Sequence, residues 1–201
     1  MGLCGRWCII STCETELSLI VPRLKTCKES ALSETTLSAL STVRQKGRLA
    51  DVYLQFANSE PALSAYLLME QALQSGSLAE REIEAIKLLV SELTQCRYCL
   101  AVHTFKSTQA GLDERQQLAI RRGEPIGDDR VDAVVAIAGA LFSRPGELDQ
   151  QRLNDGRNAG LTDENLVDLC MAMATIFFTN ITNHINQSET ALPPAPALNN
   201  A

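Results

Sequence analysis

The stretch Glu84 to His103, EAIKLLVSELTQCRYCLAVH, decides how the rest of the chain is read. It carries a carboxylate, a C-x-x-C pair (Cys96, Cys99) and a histidine four residues beyond the second sulfur. Two of the chain's 7 cysteines and one of its 2 histidines fall within this short span. Ahead of the pair, Ile83, Ile86, Leu89, Val90 and Leu93 recur at helical spacing. Leu100 and Val102 follow it, and no Gly or Pro interrupts. The spacing predicts helix, short turn, helix, with the cysteines opening the second helix.

On a helix, residues three or four apart share a face. Cys96 and Cys99 then lie side by side, close enough for a disulfide, and Cys99 and His103 are neighbours. A helix N-terminus carries partial positive charge and favours thiolate over thiol, as does a nearby imidazole. The thiolate is the nucleophile of disulfide exchange and of attack on peroxides. Antiparallel packing of the two helices would bring Glu84 to His103, to orient the ring and exchange its proton. On this reading Cys99, one turn from His103, is the more acidic thiol, because Cys96 stands two turns away.

The 201 residues suit one domain with a sizeable core. A net charge of −6 without a basic run argues against nucleic acid and against an anionic membrane surface. No run of about 18 unbroken apolar residues suggests a span, and Leu17 to Val21 is too short for a secretory core. The expected compartment is the reducing cytoplasm, where a C-x-x-C is redox-active or metal-binding rather than a structural bridge.

Residues 1–22 read as an extension, as from an upstream start codon. Cys4, Cys8 and Cys13 match no iron–sulfur ligand spacing, and Arg6 stands where a lipidation signal beginning at Gly2 has Ser or Thr. From there the punctuation is helical. Ser33 caps a helix to Lys46 with Leu37, Leu40 and Val43 on one face and Gly47 as its stop. Residues 51–58 form a short helical turn, and Pro61 opens a helix through Gln74. Ser77 with Glu80 is a capping box for the Glu84 helix. Asp113 with Gln116 restarts the chain after Gly111. Asp128 begins an apolar helix that Pro145-Gly146 ends, and Glu147 to Ala159 is a polar helix. Thr162 caps a long last helix reaching about Gln187, before a Pro-rich tail. Ala110-Gly111-Leu112-Asp113-Glu114 echoes Ala159-Gly160-Leu161-Thr162-Asp163-Glu164, either as a repeat or as ordinary helix punctuation. Leu166, Val167, Leu169, Met171, Met173, Ile176, Phe177 and Phe178 make the last helix apolar nearly all round. A subunit interface would account for the excess, and Cys170 reads as core packing. No alternating strand pattern occurs, so the class is all-α.

Glu84, eleven residues, Cys96-Arg97-Tyr98-Cys99, three residues, His103 resembles the signature of the alkylhydroperoxidase D-like, peroxidase-related branch of the carboxymuconolactone decarboxylase superfamily. LAEREIEAIKLLVSELTQCRYCLAVHT resembles that family's core, NSEPALSAYLLMEQAL its preceding helix and FFTNITNH its closing helix. The resemblance covers roughly residues 23–198, which would be one alkylhydroperoxidase D-like helical domain. It implies a helical bundle assembling as a trimer or hexamer, with peroxidase or thiol–disulfide chemistry and no cofactor. By resemblance Cys99 is the inner, peroxide-attacking cysteine, Cys96 its resolving partner, and Glu84 with His103 the proton relay. The implied partners are a hydroperoxide and a dithiol donor such as a lipoyl protein or a peroxiredoxin. Some relatives carry a histidine between the cysteines where this chain has Tyr98. His184 matches a recurring closing-helix histidine.

Three other readings stand beside this one. Cys96, Cys99 and His103 could hold zinc, with Cys170 or His184 as a fourth ligand. A cofactor-free lactone decarboxylase or isomerase would use an acid–base pair and would not need the C-x-x-C. An oligomeric scaffold with a vestigial site is the third.

Overall fold

The structure, a computed structural model, describes residues 22–44, 48–144 and 147–198. Within them run α1 (Glu34–Ser41), α2 (Asp51–Phe56), α3 (Glu60–Gln74), α4 (Glu80–Leu93), α5 (Arg97–Gln109), α6 (Glu114–Arg122), α7 (Asp129–Ser143), α8 (Gln150–Asn158) and α9 (Asp163–Asn186). Short 3-10 turns cover Glu29–Ala31 and Ala57–Ser59. No strand occurs among the described residues, and the fold is all-α as the punctuation predicts. The extension expected over residues 1–22 lies outside the described residues, save Pro22.

Side-chain caps start most of these helices. Ser33, Ser59, Asp113, Asp128, Asp149 and Thr162 each accept a backbone N–H of the first turn. Three expected boundaries differ. α1 stops at Ser41, so Val43 lies beyond it, and Gly47 falls outside the described residues. α8 begins at Gln150, because Asp149 is the residue placed to cap it. Ser77 does not cap α4: its N–H and hydroxyl both donate to the Asp168 carboxylate on α9, at 2.7 and 2.8 Å. A charged acceptor outcompetes a backbone cap, and α4 starts instead where the Ala79 N–H donates to Glu82 Oε2 at 2.9 Å.

α4 is the axis of the molecule. The spacing of its apolar residues predicts one buried face, yet every residue from Glu82 to Ser91 is buried. α5, α6, α7 and α9 surround it. Three charges therefore go into the interior, and each is met from a different helix. Glu82 accepts from Arg130 Nε on α7 at 2.6 Å. Lys87 Nζ donates to Glu70 on α3 at 2.7 Å. Glu84 meets His103 on α5. A buried charge is tolerated only when paired in this way.

The main core gathers Ile86, Leu88, Leu89 and Val90 of α4 with Ile120, Val134, Ile137, Leu169 and Ile176. A smaller core under α1 to α3 joins Leu40, Phe56, Leu63 and Leu67, with Tyr66 stacked on Phe178 of α9 at 5.6 Å. α9 thus seals both cores. By length and composition it is the one helix among the described residues that could cross a membrane. Here it lies in the bundle, with Leu169, Ala172, Thr175 and Ile176 buried.

Candidate functional site

The α4–α5 turn builds the site. Gln95 N donates to Glu92 O and Cys96 N to Ser91 O, with Gln95 in the left-handed region at φ 56°. This pair of bonds is a Schellman ending, and it delivers Cys96 to the N-cap of α5. There Cys96 Sγ accepts the Cys99 backbone N–H at 3.4 Å. The two sulfurs stand 2.7 Å apart as free thiols, both buried.

Behind them His103 Nδ1 donates to Glu84 Oε2 at 2.7 Å. Burial raises the Glu84 carboxyl, but the His103 ring and the nearby Lys106 and Lys87 outweigh it and bring the pKa to about 2. Burial pushes the His103 imidazole down, and Glu84 only partly restores it. The pair is therefore an ionised carboxylate and a neutral ring at neutral pH. Glu84 orients His103 through the Nδ1 hydrogen bond. Nε2 keeps its lone pair. Among the described residues His103 makes no hydrogen bond to either sulfur.

The expected order of thiol acidity is reversed. The hydrogen bond with Cys99 lowers the Cys96 thiol, and backbone N–H groups of α5 add to it against burial. The same hydrogen bond and burial push the Cys99 thiol up. The reason is position on the helix: the N-cap sulfur receives the orphan N–H groups and the positive helix end, whereas Cys99 sits inside the first turn. Cys99 depends instead on α9, where Asn183 Nδ2 donates to its sulfur at 3.3 Å.

A cleft of about 520 Å³ opens beside Cys96. Cys96, Tyr98 and Asn183 form one side, and Ser188, Leu192 and Pro194 of the C-terminal tail form the other. Arg121 fastens the tail by donating to Pro196 O at 2.6 Å. Tyr98, standing between the cysteines, is half-buried with its phenol pushed up to about 12 by burial, so it is a neutral wall of the cleft at neutral pH. A larger hollow of about 680 Å³ lies elsewhere, between α6, α7 and the start of α8. Its lining has no cysteine or histidine, and its Arg121, Arg122, Arg144 and Arg152 are each paired with a carboxylate.

The structure thus brings Glu84, Cys96, Cys99 and His103 together. It does not bring in Cys170, which is exposed on α9 and not in the core as expected. The face of α9 toward α4 is already filled by Leu169, Ala172 and Ile176, and Cys170 points away from it. His184 lines the cleft while its Nε2 donates to Thr94 O at 2.7 Å, bracing the turn. Asn183 was missed. The signal for it is that Asn180, Asn183 and Asn186 recur every third residue on α9, and all three are buried.

Residues 61–140, from α3 through most of α7, match the family described as the carboxymuconolactone decarboxylase family. Over this segment the chain is similar to the carboxymuconolactone decarboxylase family. Its match contains all four predicted site residues but not α9. Solved structures of similar fold cover nearly the whole chain. An alkylhydroperoxidase AhpD core, an uncharacterized peroxidase-related protein from Ralstonia eutropha JMP134, has TM-score 0.74 at 20% identity, over 87% of this chain and 92% of its own. An uncharacterized peroxidase-related protein from Silicibacter sp. TM1040 has TM-score 0.69 at 21% identity, over 90% and 95%. The debrominase Bmp8 has TM-score 0.66 at 17% identity, over 86% and 91%. At these identities the likeness is one of fold. No curated protein is detectably similar in sequence. That family contains enzymes, and this chain has the alkylhydroperoxidase D-like helical architecture.

Proposed function

We propose that the chain is a thiol-dependent oxidoreductase that reduces hydroperoxides, or partner disulfides, through a Cys96–Cys99 dithiol/disulfide cycle. The observation that carries this reading is the pair of free sulfurs 2.7 Å apart at the start of α5, beside an open cleft. The Cys96 thiolate faces the cleft and attacks the terminal peroxide oxygen. The O–O bond breaks, the alcohol leaves with a proton, and Cys96 becomes a sulfenic acid. Cys99 gives its proton to a base and attacks the Cys96 sulfur; the disulfide forms and water leaves. His103, neutral and held by Glu84, is that base. This assigns the attacking role to Cys96, where the resemblance implies Cys99. The acidity order and the cleft support the change. A dithiol donor of the lipoyl type restores both thiols, and the cycle suits the reducing cytoplasm.

Peroxide consumption by purified protein with dihydrolipoamide as donor tests the reading. Thiol labelling with mass spectrometry should show Cys96 and Cys99 lost together after peroxide and regained with the donor. Both thiols still free after excess peroxide would end it.

A further inference from the structure

The dithiol cycle puts negative charge on Cys99 twice. Cys99 is the nucleophile when the disulfide closes. When the donor thiolate attacks Cys96 Sγ, the S–S bond breaks and its electron pair goes to Cys99 Sγ, the leaving group. Yet the N-terminal donors of α5 serve Cys96, and Cys99 is buried. A buried sulfur without donors is both a poor nucleophile and a poor leaving group.

α9 supplies what α5 does not. The three buried asparagines of its last two turns divide the work unequally. Asn180 Nδ2 donates to Thr94 Oγ1 at 2.7 Å and braces the turn. Asn186 spends both ends of its amide, accepting from the Leu24 N–H at 2.8 Å and donating to Gln55 Oε1 at 2.7 Å. Asn183 is only 4% exposed, aims its Nδ2–H at Cys99 Sγ, and leaves its own Oδ1 buried without a partner. Asn180 and Asn183 both leave a buried carbonyl without a partner, but of the three only Asn183 points its donor at a reacting atom.

Resting on the dithiol reading, we propose that Asn183 is a catalytic residue, the hydrogen-bond donor that stabilises the Cys99 thiolate both as nucleophile and as leaving group. The donor thiol adds to Cys96 as a mixed disulfide, and Cys99 leaves as a thiolate bonded to Asn183 Nδ2–H. A second donor sulfur then attacks the mixed disulfide, releasing the oxidised donor and a Cys96 thiolate, and protons return from solvent.

The test uses the full chain and two readouts. In a Cys96→Ser background, iodoacetamide alkylation of Cys99 is followed against pH by mass spectrometry. Adding Asn183→Ala should move its midpoint up by about one unit, a roughly tenfold slower reaction at a given pH below the midpoint. In the chain with both cysteines, Asn183→Ala should slow reduction of the Cys96–Cys99 disulfide by dithiothreitol by about tenfold. Asn183→Asp, nearly isosteric, should lose reduction rate further as its carboxyl ionises with rising pH, a limb that a packing defect would not produce. If Asn183→Ala folds, by circular dichroism, and both the Cys99 midpoint and the reduction rate stay unchanged, the assignment is wrong. If Asn183→Ala does not fold, an Asn183→Asp pH profile identical in shape to the parent overturns it. The alkylation midpoint is read without turnover. A parent chain whose disulfide neither forms nor reopens therefore sinks the dithiol cycle, and is distinguishable from failure of the Asn183 role.

Discussion

Glu84 and His103 bury one proton between two groups, and its location sets how they act. With Glu84 held near 2 and His103 pushed below its ordinary 6.5, the proton sits on Nδ1 and the pair carries one net negative charge. The linkage follows from both shifts. His103 in the folded chain binds fewer protons than in the unfolded chain, so its contribution is fully present above pH 6.5 and is lost as pH falls through its lower folded value. The Glu84 contribution is present above 4.5 and is lost only toward about 2. Between pH 6.5 and 4.5 the pair's share of acid destabilisation therefore belongs to His103. Unfolding by urea at stepped pH should show stability falling in that window, by at most about 1.4 kcal/mol per pH unit for one proton. His103→Gln should flatten that slope. The same variant should slow peroxide turnover by about 10²–10⁴ if the ring is the base. Glu84→Gln should act in the same direction, and the double variant should lose less than the sum, because the two side chains work as one unit.

At the scale of the element, the α4–α5 turn holds strain next to the reactive sulfur. Gln95 adopts φ 56° at a position where Gly or Asn is the usual residue. Its side chain gives something back by donating to Glu92 O at 2.8 Å. For an L-residue the left-handed region costs about 1–2 kcal/mol, and glycine relieves it at some cost in unfolded-state entropy. Gln95→Gly should therefore stabilise the fold by up to about 1 kcal/mol, or raise Tm by about 2–4 °C at this chain length. Thermal unfolding followed by circular dichroism reads it directly. A lower Tm would mean that the side-chain bond outweighs the strain. Asn180 and His184 brace the same turn from α9 through Thr94, so the pocket of Cys96 is shaped by residues 86 and 90 positions further along the chain than Thr94.

For the whole molecule, α9 presents an exposed apolar stripe, with Phe177 packed edge-on against Phe142 of α7. Val167, Phe177, Ile181 and Ile185 are 68, 45, 42 and 54% exposed, with Cys170 exposed among them. With exposed Ala174 they recur at three- and four-residue steps, the spacing of a helix-packing seam. The opposite face of α9 is filled by α4 and α3, so the apolar excess noted in the sequence is real only on the outer side. We expect copies of the chain to pair through this stripe in a trimer or hexamer. Light scattering at micromolar concentration should report a multiple of 21.9 kDa. Phe177→Glu with Ile181→Glu should shift it toward that mass, since truncating or charging a central apolar anchor costs about 2 kcal/mol or more of association energy. A parent chain that is already monomeric would refute the seam.

Local rules account for what was legible in the sequence alone. Caps, glycines and apolar spacing depend on residues within one turn, and they decide that the chain is helical and where most helices begin. Gly111 and Gly160, at φ 84° and 86°, end their helices as the echoed segments suggest, each followed by a buried leucine, Leu112 or Leu161. The three-residue spacing of Cys96 and Cys99 likewise sets their contact without help from the rest of the fold. Only tertiary structure decided what depends on which surfaces meet. Ser77 is a cap by sequence, but Asp168 lies 91 residues away and takes its donors. Cys170 is apolar by neighbourhood, but α4 occupies the other side of α9. Cys96 became the more acidic thiol because it alone occupies the N-cap, and Cys99 came to rely on Asn183, 84 residues on. Such contacts are set by burial and by competition for donors across helices, which spacing within one helix does not encode.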